Sequence, residues 1–132
     1  MIRELRDRLG TAMLMITHDL GIVAQTCDDV GVMYAGEIVE SGTAEDIFLG
    51  EEHHPYTVGL FDSIPNLRSF GMEGLKTLEG QIPSPINPPS GCTFHTRCSH
   101  ACEACAQKCP TPVYLNDDHY VSCLLFEEKE AQ

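Results

Sequence analysis

The stretch from 13 to 48, MLMITHDLGIVAQTCDDVGVMYAGEIVESGTAEDIF, decides the fold of this 132-residue chain. The run TAMLMIT at 11–17 is apolar at nearly every position, which favours a strand covered on both faces of a parallel α/β sheet. His18 and Asp19 follow at the carboxyl end of this predicted strand, where open α/β sheets place their ligands. Asp19 also suits the N-cap of a helix from Leu20 to Cys27. The stretch therefore predicts an α/β fold.

The residues after this helix predict a β-hairpin and a further helix. Apolar side chains alternate over 30–34, a turn is expected at 35–36, and a second strand returns through 38–39 until Ser41-Gly42. The segment 43–46, TAED, resembles a capping box with Asp in place of Glu, so it predicts the start of a helix. Strand and helix thus continue to alternate up to about residue 50.

A strand covered on both faces needs parallel neighbours, each joined to it through a crossover helix. The sequence holds no further strand of that type. We therefore interpret residues 1–50 as the end of a larger α/β domain, so that the chain is a fragment or completes its sheet with another chain. An unpaired sheet edge also offers a route to a homodimer of the chain.

The segments on either side of this α/β stretch are predicted as follows. Residues 2–9 have apolar positions at helical spacing and end at Gly10, which suits a helix stop. Pro55 is well placed in the first turn of a helix. Gln81 to Gly91, QIPSPINPPSG, is too rich in proline for regular structure. A short strand is expected within 119–125, followed by a frayed acidic tail.

Composition excludes two classes of function. The net charge of −12 argues against a nucleic-acid-binding domain, because phosphate contacts need clustered Lys and Arg. No apolar run approaches the roughly 20 residues that cross a bilayer, and the first residues are charged and amphipathic, unlike a signal peptide. These features place the chain in the cytosol, where thiols stay reduced.

Six of the seven cysteines fall in the last third of the chain. Such a cluster, interrupted by Gly and Pro, indicates either a disulfide framework or a thiolate site for a metal ion or iron–sulfur cluster. A set of simple reduced thiols is the remaining alternative. The cytosolic assignment favours metal binding, since structural disulfides are rare there. Four thiolates would satisfy either tetrahedral zinc or a [4Fe–4S] cluster.

Several motifs together resemble one family. The stretch 13–48 is similar to the C-terminal end of an ABC-type ATPase domain, a P-loop NTPase, from the switch-histidine region onward. HHPYTVGLFDSIP from 53, LEGQIPSP from 78 and PSGCTFHTRC from 89 look like the C-terminal extension of oligopeptide/dipeptide importer ATPases. ITHD alone is common to many ABC ATPases, whereas its combination with HPYT and GC-x-F-x-x-R-C is highly specific.

The resemblance implies two parts and a parent activity. Residues 1–50 correspond to the end of the ATPase domain with His18 as the switch histidine, and residues 51–132 correspond to an irregular Cys-rich extension. The parent subunit would couple hydrolysis of ATP with Mg²⁺ to the import of di- or oligopeptides, at the inner face of the cell membrane. Its partners would be transmembrane permease subunits and a second ATPase subunit.

The chain holds no G-x-x-x-x-G-K-[ST] phosphate loop, no LSGGQ-like signature and no Asp-Glu pair for magnesium. We therefore expect it to be inactive as an ATPase on its own. A stand-alone metal-binding interaction module without ATPase activity is the alternative function.

The family spacing C-x5-C-x6-C, with a distant fourth cysteine, selects Cys92, Cys98, Cys105 and Cys123 as ligands. Members of the family carry an iron–sulfur cluster, so the resemblance implies [4Fe–4S], with zinc as the alternative. The ligands would supply folding free energy that this short segment cannot gain by packing. Cys102 and Cys109 lie outside the pattern.

The remaining candidate residues are interpreted as structural. His53, His54 and His119 could be metal ligands, but the HPYT stretch favours a role for His54 in beginning and packing a helix. Cys27 is interpreted as a small buried hydrophobe on a helix face.

Overall fold

The computed structural model describes residues 1–64 and 78–131. Its helices and strands, in chain order, are α1 (Ile2–Leu9), α2 (Leu20–Thr26), β1 (Asp29–Tyr34), β2 (Glu37–Thr43), α3 (Ala44–Leu49), α4 (Pro55–Asp62), a 3-10 helix (Glu103–Ala106), β3 (Pro112–Tyr114), β4 (Tyr120–Ser122) and α5 (Leu124–Glu130). Residues 81–91 contain no helix or strand, as their prolines predict. No helix in the described ranges has both the length and the apolar character required to cross a bilayer.

The described strands form one antiparallel sheet with the order β1-β2-β4-β3. The predicted parallel sheet is therefore wrong for this part of the chain, although the α/β character is confirmed. The hairpin of β1 and β2 is also confirmed. Its turn residues Ala35 and Gly36 both have positive φ, 48° and 84°, which matches the twist of hairpin strands.

The predicted strand at 11–17 is absent from the structure. Residues 11–17 are extended but unpaired, and the side chains of Leu14 and Ile16 are 89% and 92% exposed. The physical reason is that a strand exists only through its ladder, and no other strand within the described ranges lies beside this one. Residues 11–17 therefore have the composition of a buried strand but are not part of the sheet.

Side chains at the helix ends explain why α2, α3 and α4 begin where they do. Asp19 Oδ1 accepts a hydrogen bond from the Ile22 N–H at 3.1 Å. Thr43 and Asp46 form the reciprocal capping box that the sequence predicts. These caps satisfy N–H groups that have no partner within the helix.

The sheet contributes to two small hydrophobic cores, one at β1 and β2 and the other at β3 and β4. The first contains the buried side chains of Val32, Tyr34, Val39 and Phe94. The second contains Val113, Val121, Cys123 and Phe126. Phe126 belongs to α5, so the C-terminal tail is a packed helix and the predicted frayed tail is wrong. The predicted strand within 119–125 shortens to β4 because α5 begins at Leu124 and brings Phe126 into the second core.

Candidate functional site

A fully buried carboxylate, that of Glu40 on β2, organises the first group of polar side chains. Its Oε1 lies 2.8 Å from Nδ1 of His53 and 2.8 Å from Nε2 of His119. Its Oε2 accepts hydrogen bonds from the backbone N–H of His54 at 2.9 Å and from Oγ1 of Thr57 at 2.5 Å. Both carboxylate oxygens are therefore fully used, by partners from two separate parts of the chain, residues 53–57 and His119.

A β-bulge explains why Glu40 points inward. Val32 pairs with Glu40, and Met33 pairs with Ile38, so Val39 has no partner across the hairpin. Regular alternation would place Val39 and Glu40 on opposite faces of the sheet. The bulge instead leaves both side chains buried.

The buried carboxyl group of Glu40 needs hydrogen-bond partners, because a buried polar group without them is strongly unfavourable. His53 faces two acceptors, since its Nδ1 contacts Glu40 and its Nε2 lies 2.9 Å from the carbonyl oxygen of Gly50. A neutral imidazole has one N–H, whereas the imidazolium has two. The two contacts of His53 are therefore satisfied together only by the form that carries both N–H groups.

One ligand atom from each of Glu40, His53 and His119 lies within 4.8 Å of the other two, so these residues also have the spacing of a divalent-cation site. The structural interpretation of these two histidines stays a prediction. The involvement of Glu40 and Thr57 was missed by sequence reasoning. The only signal in the sequence was an acidic residue directly after the apolar pair Ile38-Val39.

His54 begins α4, as the HPYT stretch predicts. Its Nδ1 accepts a hydrogen bond from the Tyr56 N–H at 3.0 Å, so the neutral ring carries its proton on Nε2. The ring is buried against Phe94, and within the described ranges Nε2 has no hydrogen-bond partner. Burial lowers the pKa of His54 to about 4, although the charge of Glu40 opposes the shift. His54 is therefore neutral at physiological pH.

The four cysteines selected by the family spacing come together at the second candidate site. Cys105 and Cys123 are buried, and Cys92 and Cys98 are half-buried. Burial raises the pKa of Cys123 to about 11, and the nearby sulfurs of Cys92, Cys98 and Cys105 add to the shift. All seven cysteines of the chain are unpaired.

The backbone fixes the positions of these thiols. The N–H of Cys92 donates to the carbonyl oxygen of Cys105 at 2.8 Å, so two of the four cysteines are joined directly. Gly91 has φ +71°, and a Cβ there would lie 2.3 Å from the same carbonyl oxygen. Phe94 anchors the segment in the first core, where Cys92 and Cys98 pack against it.

The two cysteines outside the family spacing are exposed and differ in their surroundings. The sulfur of Cys102 lies 3.5 Å from that of Cys105. The Cys109 thiol donates to the carbonyl oxygen of Gly91 at 3.4 Å. Cys102 is therefore in contact with the four-cysteine group through Cys105.

His18 joins neither group. It is exposed on the bend before α2, where the Asp19 N–H donates to Oγ1 of Thr17. Cys27 is half-buried at the C-terminal end of α2, so the prediction that it is a buried residue is wrong.

Comparisons with known proteins identify the family of the chain. The model of the oligopeptide/dipeptide transporter C-terminal region matches residues 39–105, about half of the chain. The chain is 39% identical, over all 132 of its residues, to the oligopeptide transport ATP-binding protein AppD of Bacillus subtilis. It is 42% identical, over 125 residues or 95% of its length, to the oligopeptide transport ATP-binding protein OppD of the same organism.

The aligned parts make up only 40% of AppD and 35% of OppD. The chain thus corresponds to the C-terminal region that the family model describes, with the HPYT stretch and the first three of the four selected cysteines inside the match. The resemblance inferred from the motifs is confirmed. This chain belongs to the oligopeptide/dipeptide transporter C-terminal region family.

Proposed function

We propose that this chain is the C-terminal part of the ATP-binding subunit of an ABC importer for di- and oligopeptides. In the whole subunit, hydrolysis of ATP with Mg²⁺ is coupled to peptide uptake. The observation that carries the proposal is the family match at 39–105, within an alignment to AppD that spans the entire chain. Because that alignment includes residues 1–50, it does not favour a stand-alone metal-binding module.

Residues 1–50 complete the ATPase domain in this proposal, and residues 51–132 form its extension. Exposed apolar side chains support this division, because they are concentrated on α1 and the unpaired run that follows it. They include Ile2, Leu5, Leu9, Met13, Leu14 and Ile16. An exposed apolar patch of this kind marks a contact with another protein surface.

His18 is the proposed switch histidine, which approaches the terminal phosphate of ATP. Its position supports the role, since an exposed side chain on a bend before a helix can reach a ligand. The subunit would lie in the cytoplasm at the inner face of the membrane. It would act there with transmembrane permease subunits and a second ATPase subunit.

A chimera tests the transport proposal. Residues 1–132 replace the aligned C-terminal region of AppD in Bacillus subtilis cells whose growth depends on AppD for a supplied peptide. We expect the chimera to restore peptide uptake, and a His18→Ala chimera of equal abundance to lose it. An abundant, membrane-associated chimera without uptake would contradict the proposal, as would full uptake with the His18→Ala variant.

The second part of the proposal is that Cys92, Cys98, Cys105 and Cys123 bind a [4Fe–4S] cluster. The donor set fits, because four mutually close thiols are gathered from a segment with little core of its own. The same four thiolates would also satisfy tetrahedral zinc, which is the alternative. The bound group would have a structural role.

Metal analysis of anaerobically purified protein tests this assignment. We expect iron and acid-labile sulfide in the wild type, loss of both in Cys98→Ser, and retention in the matched control Cys109→Ser. Zinc without sulfide would overturn the iron–sulfur assignment in favour of zinc. Absence of any metal would overturn both.

A further inference from the structure

Cys102 and Cys105 form a CxxC pair whose sulfurs are already in contact. The two sulfur atoms lie 3.5 Å apart. The Cys105 N–H donates to the Cys102 carbonyl oxygen at 3.0 Å, which closes a turn. A closed turn of this kind brings the first and fourth Cα atoms within about 7 Å, near the range that a disulfide requires. A bond between the two sulfurs therefore needs little movement of the backbone.

The two thiols differ in access to solvent. Cys102 is exposed, whereas Cys105 is 8% exposed and belongs to the second candidate site. A reagent in solution therefore reaches Cys102 first, and Cys105 is placed to react with the product from within the protein. This division between an attacking and a resolving thiol is the arrangement that disulfide exchange uses.

We propose that Cys102 and Cys105 are a redox-active dithiol whose substrate is a low-molecular-weight disulfide such as oxidised glutathione. The Cys102 thiolate attacks one glutathione sulfur, forms a mixed disulfide and releases one glutathione thiolate. Cys105 then attacks the Cys102 sulfur, forms the Cys102–Cys105 disulfide and releases the second glutathione. Two protein thiols lose two electrons and two protons, and one oxidised glutathione becomes two reduced glutathione molecules.

This dithiol would control the metal site. Cys105 cannot be a thiolate ligand while it is bonded to Cys102, so oxidation and occupancy of the four-cysteine site exclude each other. This step rests on the proposed metal site, whereas the disulfide itself does not. Cys109 offers an internal control, since its thiol is exposed as well but contacts the carbonyl oxygen of Gly91.

The dithiol is tested on the reduced, metal-free chain in buffers of increasing ratio of oxidised to reduced glutathione. Free thiols are alkylated after an acid quench and counted by mass spectrometry. We expect the first disulfide to form at the same glutathione ratio in the wild type and in Cys109→Ser. In both proteins it should join Cys102 to Cys105. We expect Cys102→Ser to need a ratio at least tenfold more oxidising for any disulfide. Equal ratios for the wild type and Cys102→Ser would overturn the proposal, and so would a first disulfide elsewhere.

The link to the metal site is tested on anaerobically purified, metal-loaded protein exposed to oxidised glutathione. We expect the wild type and Cys109→Ser to lose metal as the disulfide forms, and Cys102→Ser to retain it at least tenfold longer. Equal rates of loss for all three proteins would overturn the link. If no preparation contains metal, the proposed metal site fails, while the disulfide measurement still decides the dithiol by itself.

Discussion

Glu40 and His119 lie 79 positions apart in the sequence, and the Oε1 of one is 2.8 Å from the Nε2 of the other. Glu40 is on β2, within the part that resembles an ATPase domain, and His119 precedes β4, which follows the Cys-rich segment. His53 and Thr57 bring the start of α4 to the same carboxylate. One buried carboxyl group thus joins β2, the start of α4 and the residue before β4.

Glu40→Gln should be strongly destabilising. The amide keeps the size of the side chain but replaces one acceptor oxygen with an NH2 group, which leaves buried donors without an acceptor, and each such unpaired donor costs about 1–3 kcal/mol. We expect the free energy of unfolding in urea at pH 7 to fall by about that amount. Glu45→Gln, at an exposed position on α3, is the matched control and should change it by less than about 0.5 kcal/mol. Equal stability of the two variants would contradict the central role of Glu40.

Acid should destabilise the fold through His54. The folded-state pKa is about 4, below the ordinary value of 6.5, so between these values the unfolded chain binds the proton and the folded chain does not. Stability contributed by neutral His54 is therefore present above pH 6.5 and falls as the pH drops towards 4. The shift corresponds to a loss of roughly 3 kcal/mol.

A His54→Asn variant isolates this effect. Asparagine can still accept the hydrogen bond from the Tyr56 N–H, but it does not titrate. Every other residue is the same in the two proteins, so the difference between their pH profiles reports on position 54. We expect the wild type to lose more stability than the variant between pH 6.5 and 4, measured by urea unfolding. Parallel pH profiles would show that His54 is not held neutral by burial.

Gly91→Ala should disrupt the four-cysteine site. Alanine at φ +71° is strained, and its Cβ would also lie 2.3 Å from the Cys105 carbonyl oxygen that accepts from Cys92. Gly36→Ala is the matched control, because Gly36 has φ +84° with open space around it. We expect the control to cost about 1 kcal/mol, and Gly91→Ala to cost more and to abolish metal retention. Metal retained by both variants would contradict the proposed geometry.

Local signals in the sequence predicted the local features of the fold. Thr43 and Asp46 are three positions apart, so their capping box can be predicted without any tertiary information. The hairpin turn at Ala35-Gly36 is equally local. The proline content of 81–91 correctly predicts irregular structure because proline lacks an N–H and restricts its neighbours.

Features that depend on distant contacts were not predictable. The inward position of Glu40 comes from a bulge, and its partner His119 comes from the far side of the Cys-rich segment. Helix α5 looked like an acidic tail, yet Glu127 accepts hydrogen bonds from the N–H and hydroxyl of Thr111, and Phe126 is buried. The candidate thiols were found from the family spacing, whereas only the structure distinguishes Cys102 from Cys109 through its contact with Cys105.

The exposed run at 11–17 gives a prediction that separates the isolated chain from the whole subunit. Leu14 and Ile16 are almost fully exposed, so the double substitution Leu14→Lys with Ile16→Lys should change the free energy of unfolding by less than about 0.5 kcal/mol per site. It should also reduce any self-association of the chain, because charged side chains block edge-to-edge pairing of strands. Urea unfolding and sedimentation velocity measure the two effects.

In the AppD chimera the same double substitution should abolish peptide uptake. If residues 11–17 form a strand covered on both faces once the ATPase domain is complete, two lysines would be buried there without partners, which is strongly unfavourable. The matched control replaces Leu14 and Ile16 by valine, which keeps the apolar character and the strand preference. We expect the valine chimera to retain uptake and the lysine chimera to be unstable. Full uptake with both lysines would show that this run stays exposed in the whole subunit and would refute its assignment to the sheet.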